Sequence, residues 1–162
     1  MREGDIMEIR IYPLKQLYTI LSDKPEYAVA VVSSAYEAEE SKLTIPHIVE
    51  IYEDLDLEVP GRSFSREAAG RMAQFIRTIP KTTQTVFCAC NAGQCRSTAV
   101  AAAISLYCGK DDMPIWENPG YKPNPLVFTL LCEGLGIEMT DEMLDFRLET
   151  NYRAFRDAIR KY

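Results

Sequence analysis

The sequence has very little histidine, no long apolar run and no excess of positive charge, and each shortage removes a class of function. Its single histidine, His47, opens a strand-like run, a structural or surface place, so no Ser-His-Asp hydrolase can be assembled around it. No stretch approaches the roughly 18 unbroken apolar residues of a membrane span. The opening "MREGDIMEIR" is too charged for a signal peptide. A formal net charge of -6 argues against nucleic acid or an anionic membrane as a partner. Any anion must be gripped locally. Five cysteines, an odd number without framework spacing, exclude a secreted disulfide scaffold and place the chain in the reducing cytoplasm. Cys88, Cys90 and Cys95 are too tightly spaced for zinc and no second cluster follows, so no metal and no cofactor is expected.

Repeats and low-complexity tracts are also missing, and 162 residues suffice for one well-buried core but not two, so we read a single domain over 1–162. Beta-rich runs occur at 7–12, 27–34, 47–52 and 85–89, and two of them are apolar almost throughout, as strands covered on both faces are. Between them, residues 65–79 carry Ala68, Met72, Phe75, Ile76 and Ile79 at helical spacing behind Ser65, an N-cap residue, and the stretch ends at Pro80. An alanine-rich helix is expected from Arg96 to Tyr107, stopped by Gly109. The tail places Leu144, Leu148, Tyr152, Phe155 and Ile159 on one stripe of a long amphipathic helix running toward Tyr162. Alternating strands and helices predict an α/β fold, a central, mostly parallel sheet flanked by helices.

The chemistry is concentrated in "VFCACNAGQCRST", residues 86–98, where a buried strand turns into a helix. A helix preceded by a tight loop offers unpaired backbone N–H groups and the positive end of its dipole to a phosphate. Ala92 and Gly93 let the chain curl, and Arg96 supplies a planar fork for two phosphate oxygens. A thiol at Cys90, on the floor of that cradle, is driven toward the thiolate and becomes a nucleophile.

Cys90-Asn91-Ala92-Gly93-Gln94-Cys95-Arg96-Ser97-Thr98 resembles the Cys-x5-Arg-Ser/Thr signature of the protein tyrosine phosphatase superfamily, in particular its small bacterial and dual-specificity members. The resemblance covers residues 47–132 and implies a phosphatase-like fold with a strand–phosphate loop–helix active site. It implies that Cys90 attacks phosphorus to form a cysteinyl-phosphate. Residues Asn91 to Arg96 cradle the phosphoryl group, Arg96 holds its oxygens and Ser97 eases release of the thiolate. An upstream aspartate serves as proton donor in this family; Asp54 stands in the matching loop, with Asp56 as its competitor. In "YKPNPLVFTLL", Asn124 matches the family's asparagine that braces the phosphate loop. One departure is Ala89, where the family has histidine, and its loss leaves Cys90 less acidic than in such relatives.

The expected partner is a phosphorylated protein or a small phosphomonoester, with the oligomeric state left open. The neutral "NAGQC" favours a single phosphate over a polyphosphate, and Phe64, Trp116 and Tyr121 are candidates for an aromatic rim. Cys88 or Cys95 could trap an oxidised Cys90 as a disulfide; Cys108 and Cys132 are expected in the core. Two other functions share the loop: a phosphate-binding module without turnover, and rhodanese-like sulfur transfer, which needs no acid.

Overall fold

A computed structural model of the chain describes residues 7–161. The charged opening, residues 1–6, and Tyr162 lie outside the described residues. In chain order the elements are β1 (Glu8–Pro13), α1 (Leu14–Leu21), β2 (Ala28–Ser34), a 3-10 turn (Glu40–Lys42), β3 (His47–Ile51), α2 (Arg66–Arg77), β4 (Thr85–Cys90), α3 (Arg96–Tyr107), α4 (Met113–Trp116), α5 (Pro125–Gly134) and α6 (Asp141–Ile159). Four strands form one sheet in the order β1-β4-β2-β3. All its pairings are parallel, with Pro13 beside Cys90 and Ser34 beside Ile51.

A parallel sheet must be covered on both faces, and β2 and β4 show why this one is. Every residue of Ala28–Ser34 is buried, as are Val86 to Cys90. One face packs against α2, α3 and α5 through Val29, Val31, Met72, Val100 and Phe128. The other is closed by α1, whose Leu14, Leu17 and Leu21 meet Ala30, Val32, Phe87 and Ala89. This short helix carries too few turns for its period to stand out in the sequence. None of the helices described is long and apolar enough to cross a membrane.

Local chemistry sets the boundaries. Ser65 caps α2 by accepting from the Ala68 N–H at 3.1 Å. At the end of α3, Gly109 takes φ +72, the Lys110 N–H reaches Ser105 O and the Gly109 N–H reaches Leu106 O, the paired closure of a left-handed C-cap. Ten of the twelve residues of α3 are buried, which its alanines permit at close range.

Three expectations need correction. On α6, Leu144 and Leu148 pack inward, but Tyr152, Phe155 and Ile159 are exposed. The rotation is fixed by the buried Asn151, which donates to Trp116 O and Tyr121 O, both at 2.9 Å, and turns the stripe's second half outward. Trp116 and Phe64 are core residues rather than rim. Trp116 stands edge-on to Phe128 at 5.0 Å, while Phe64 lies 4.7 Å from the Tyr52 ring. Cys132 is buried as expected, whereas Cys108 caps α3 and is half-buried.

Candidate active site

Because all strands run the same way, their C-terminal ends share one edge of the sheet, the edge where open α/β sheets bind ligands. β4 delivers Cys90 there, between the ends of β1 and β2. The five residues that follow turn back into α3, and the turn is pressed against β1. Gly93 has φ +70, and a Cβ on it would lie 2.7 Å from Pro13 N and 2.9 Å from Tyr12 C. Only glycine fits both the conformation and the space.

This curl brings groups of Cys90 to Ser97 together. The Cys90 Sγ lies 3.1 Å from Ser97 Oγ and accepts from the Gly93 N–H at 3.2 Å. Burial pushes the Cys90 thiol up, but the Ser97 hydroxyl and the backbone N–H groups of Ser97, Gly93 and Gln94 outweigh it, and the pKa is held below the ordinary thiol value. This holds although Ala89, buried in the sheet, offers no side-chain donor. Cys95 precedes α3 without capping it through its side chain, so the first-turn N–H groups and the helix dipole face the loop.

Arg96 is 7% exposed. Its guanidinium donates to Tyr52 O and to Asn91 Oδ1, both at 2.8 Å, and its Nε has no hydrogen-bond partner among the described residues. Among the described residues no carboxylate pairs with it. A buried cation without a counter-ion is costly, by several kcal/mol, and that cost falls when an anion binds beside it. Asn91 turns its amide toward the end of β2, accepting from the Ala35 N–H at 3.0 Å and donating to Ser34 Oγ at 3.4 Å. It thereby orients Arg96. Ala92 and Gln94 contribute backbone, with side chains exposed.

Asp54 lies on the loop after β3, exposed, with its Oδ1 accepting from Asn124 Nδ2 at 2.7 Å. It also borders the phosphate loop: burial pushes the Cys95 thiol up to about 11, and the neighbouring Asp54 adds to the rise. Asp56 is exposed and makes no side-chain hydrogen bond among those described. Asn124 departs from its expected task. Its side chain bonds Asp54 and Leu55 O rather than the phosphate loop, and the loop is reached only by its backbone N–H, which donates to Cys95 O at 3.0 Å.

Sequence reading missed the second tier of the site. Tyr52, whose carbonyl receives Arg96, donates its hydroxyl to Ser33 Oγ at 2.6 Å in a buried pair, and burial pushes that phenol up. Its place at the end of a strand-like run was the available signal. Tyr121, the remaining rim candidate, lines a cleft of about 330 Å³ with Ile9, Ile11, Ser105 and Lys110, which includes no phosphate-loop residue. Cys88 is fully buried, and burial pushes its thiol far up, so neither it nor Cys95 is a thiolate at neutral pH. All five cysteines are free. Among the described residues no group of three or more His, Cys, Asp or Glu gathers as a metal-ligand set.

No family model and no curated protein matches the sequence. Among solved structures, a crystal structure of PTPMT1 in complex with PI(5)P aligns at 13% identity and a TM-score of 0.44, over 93% of this chain and 94% of that one. A crystal structure of PTPMT1 aligns at 14% and 0.43, over 94% and 95%.

Proposed function

We propose that the protein is a phosphomonoester hydrolase of the protein tyrosine or dual-specificity phosphatase type, working through a cysteinyl-phosphate. The observation that carries this reading is Arg96, a buried cation with no carboxylate partner among the described residues, six positions after Cys90, whose buried sulfur accepts from the Gly93 N–H on the same loop. An acid pair would serve a structural arginine; a dianion serves this one.

In the proposed reaction the Cys90 thiolate attacks phosphorus and the P–O ester bond breaks. The departing oxygen takes its proton from Asp54. Arg96 and the loop N–H groups hold the equatorial oxygens, whose charge grows in the transition state. Water then attacks the cysteinyl-phosphate, Asp54 takes a proton from it, and the S–P bond breaks to release inorganic phosphate. The Ser97 hydroxyl donates to the returning thiolate. The absence of lysine or arginine between Cys90 and Arg96 favours a substrate with one phosphate in the cradle.

Hydrolysis of an aryl phosphate by wild type, Cys90→Ser and Asp54→Asn tests the reading. Wild type is expected to turn over and to be inhibited by vanadate. Cys90→Ser loses activity to background, and Asp54→Asn falls by about 10²- to 10⁴-fold, the range for a positioned general acid. A wild type that binds phosphate with no turnover would replace this reading with a binding module. Undiminished hydrolysis in Asp54→Asn would pass the proton-donor role to Asp56.

A further inference from the structure

Asn124 is 1% exposed, and its polar groups are committed to three segments, α5, the acid loop and the phosphate loop. Its side-chain oxygen accepts from the Val127 N–H at 3.1 Å, capping α5. A backbone N–H can only donate, so this bond fixes which end of the amide is oxygen and turns Nδ2 toward the acid loop. Nδ2 donates to Asp54 Oδ1 at 2.7 Å and to Leu55 O at 3.1 Å. The backbone N–H meets Cys95 O, and two residues earlier the Lys122 N–H meets Gln94 O at 2.9 Å. One residue thus joins the acid loop, 70 positions before it in sequence, to the phosphate loop.

A proton donor must carry its proton on the oxygen that faces the leaving group. Asn124 Nδ2 is donor-only, and the carbonyl-type oxygen of a carboxylic acid is the better acceptor, so the bond favours Oδ1 as that oxygen and leaves the proton to Oδ2. We propose that Asn124 is a positioning residue that fixes the acidic proton of Asp54 on Oδ2 and holds the acid loop in register with Cys90 and Arg96. This rests on the phosphatase reading above. It assigns Asn124 to the protonation of the leaving group and not to the binding of phosphate.

The test compares aryl phosphates that differ in their need for an acid. 2,4-Dinitrophenyl phosphate expels a stable phenolate unaided, while phenyl phosphate depends on protonation. Asn124→Ser keeps an α5 cap acceptor and loses the reach to Asp54. Its loss of kcat relative to wild type is expected to fall about tenfold or more harder on phenyl phosphate than on dinitrophenyl phosphate, with KM for both little changed. Equal losses on both substrates, or no loss, would overturn the assignment.

Asn124→Asp supplies an independent reading should the serine variant fold poorly. It retains the cap and sets an anion against Asp54, so Asp54 keeps its proton to higher pH. The groups coupled to Asp54 are Cys95 from the phosphate loop and Tyr52, with Lys122 acting on Cys95; of its neighbours in sequence, Glu53 is paired with Arg62 and Asp56 is exposed. The basic limb of the phenyl phosphate profile is expected to move upward, and an unmoved limb would count against the proposal. If wild type hydrolyses neither ester, the phosphatase reading itself fails, an outcome distinct from a variant that spares both.

Discussion

The site depends on individual residues whose alternatives can be counted. Gly93 is the clearest, because two independent constraints meet there. A side chain would face both a positive φ and the backbone of Tyr12 and Pro13, neither of which can rotate away. Gly61 provides the contrast, with φ +77 and open space around it. Gly93→Ala is expected to cost about 1–3 kcal/mol in urea unfolding and to weaken phosphate inhibition by about tenfold or more, because the Gly93 N–H moves off the Cys90 sulfur. Gly61→Ala carries the conformational cost alone and leaves phosphate inhibition intact. Equal behaviour of the two variants would mean that the loop does not rest on β1 as described. Ala89 belongs to the same scale: the Ser97 hydroxyl and three backbone N–H groups supply the stabilisation of the thiolate.

Among elements, strand–loop–helix continuity made Cys90 through Ser97 readable as a unit, since all of its chemistry lies within eight consecutive residues. Helices α2 and α3 were equally plain because Ser65 and Gly109 punctuate them. The orientation of α6 was not readable, since it depends on partners outside its own sequence. Besides Asn151, Arg147 anchors α6: it donates to both carboxylate oxygens of Asp112, at 2.7 and 3.0 Å, and Trp116 Nε1 adds a bond of 2.8 Å. The Asp112 side chain is only 2% exposed. Removing one member of such a pair strands the other charge, so Arg147→Leu is expected to lower stability by about 3–5 kcal/mol in denaturant unfolding. The cost should include loosening of α6 from α4, seen as faster amide exchange along 141–159. A loss below about 1 kcal/mol would show that the pair does not hold these helices together.

For the whole molecule, the parallel topology explains which parts of the site the sequence could not disclose. Four strand ends meet at one edge, so Arg96 finds the carbonyl of Tyr52 and Asn124 finds Asp54 through folding alone. Residue type identified Asp54 and Asn124 as candidates, but their bond to each other is a property of the assembled sheet and helices. The acidic composition has the same logic. In a chain of net charge -6 the buried Arg96 guanidinium pairs with no carboxylate among the described residues, so its attraction is left for an anion that enters from solvent. The central claim is that this cradle holds Cys90 as a thiolate. The most direct measurement is the rate of Cys90 alkylation by iodoacetamide against pH, located by peptide mass mapping, with and without inorganic phosphate. The predicted curve rises to its plateau at lower pH than an ordinary thiol, is suppressed by phosphate, and shifts to higher pH in Ser97→Ala. A wild-type curve at or above that of an ordinary thiol, indifferent to phosphate, would contradict it.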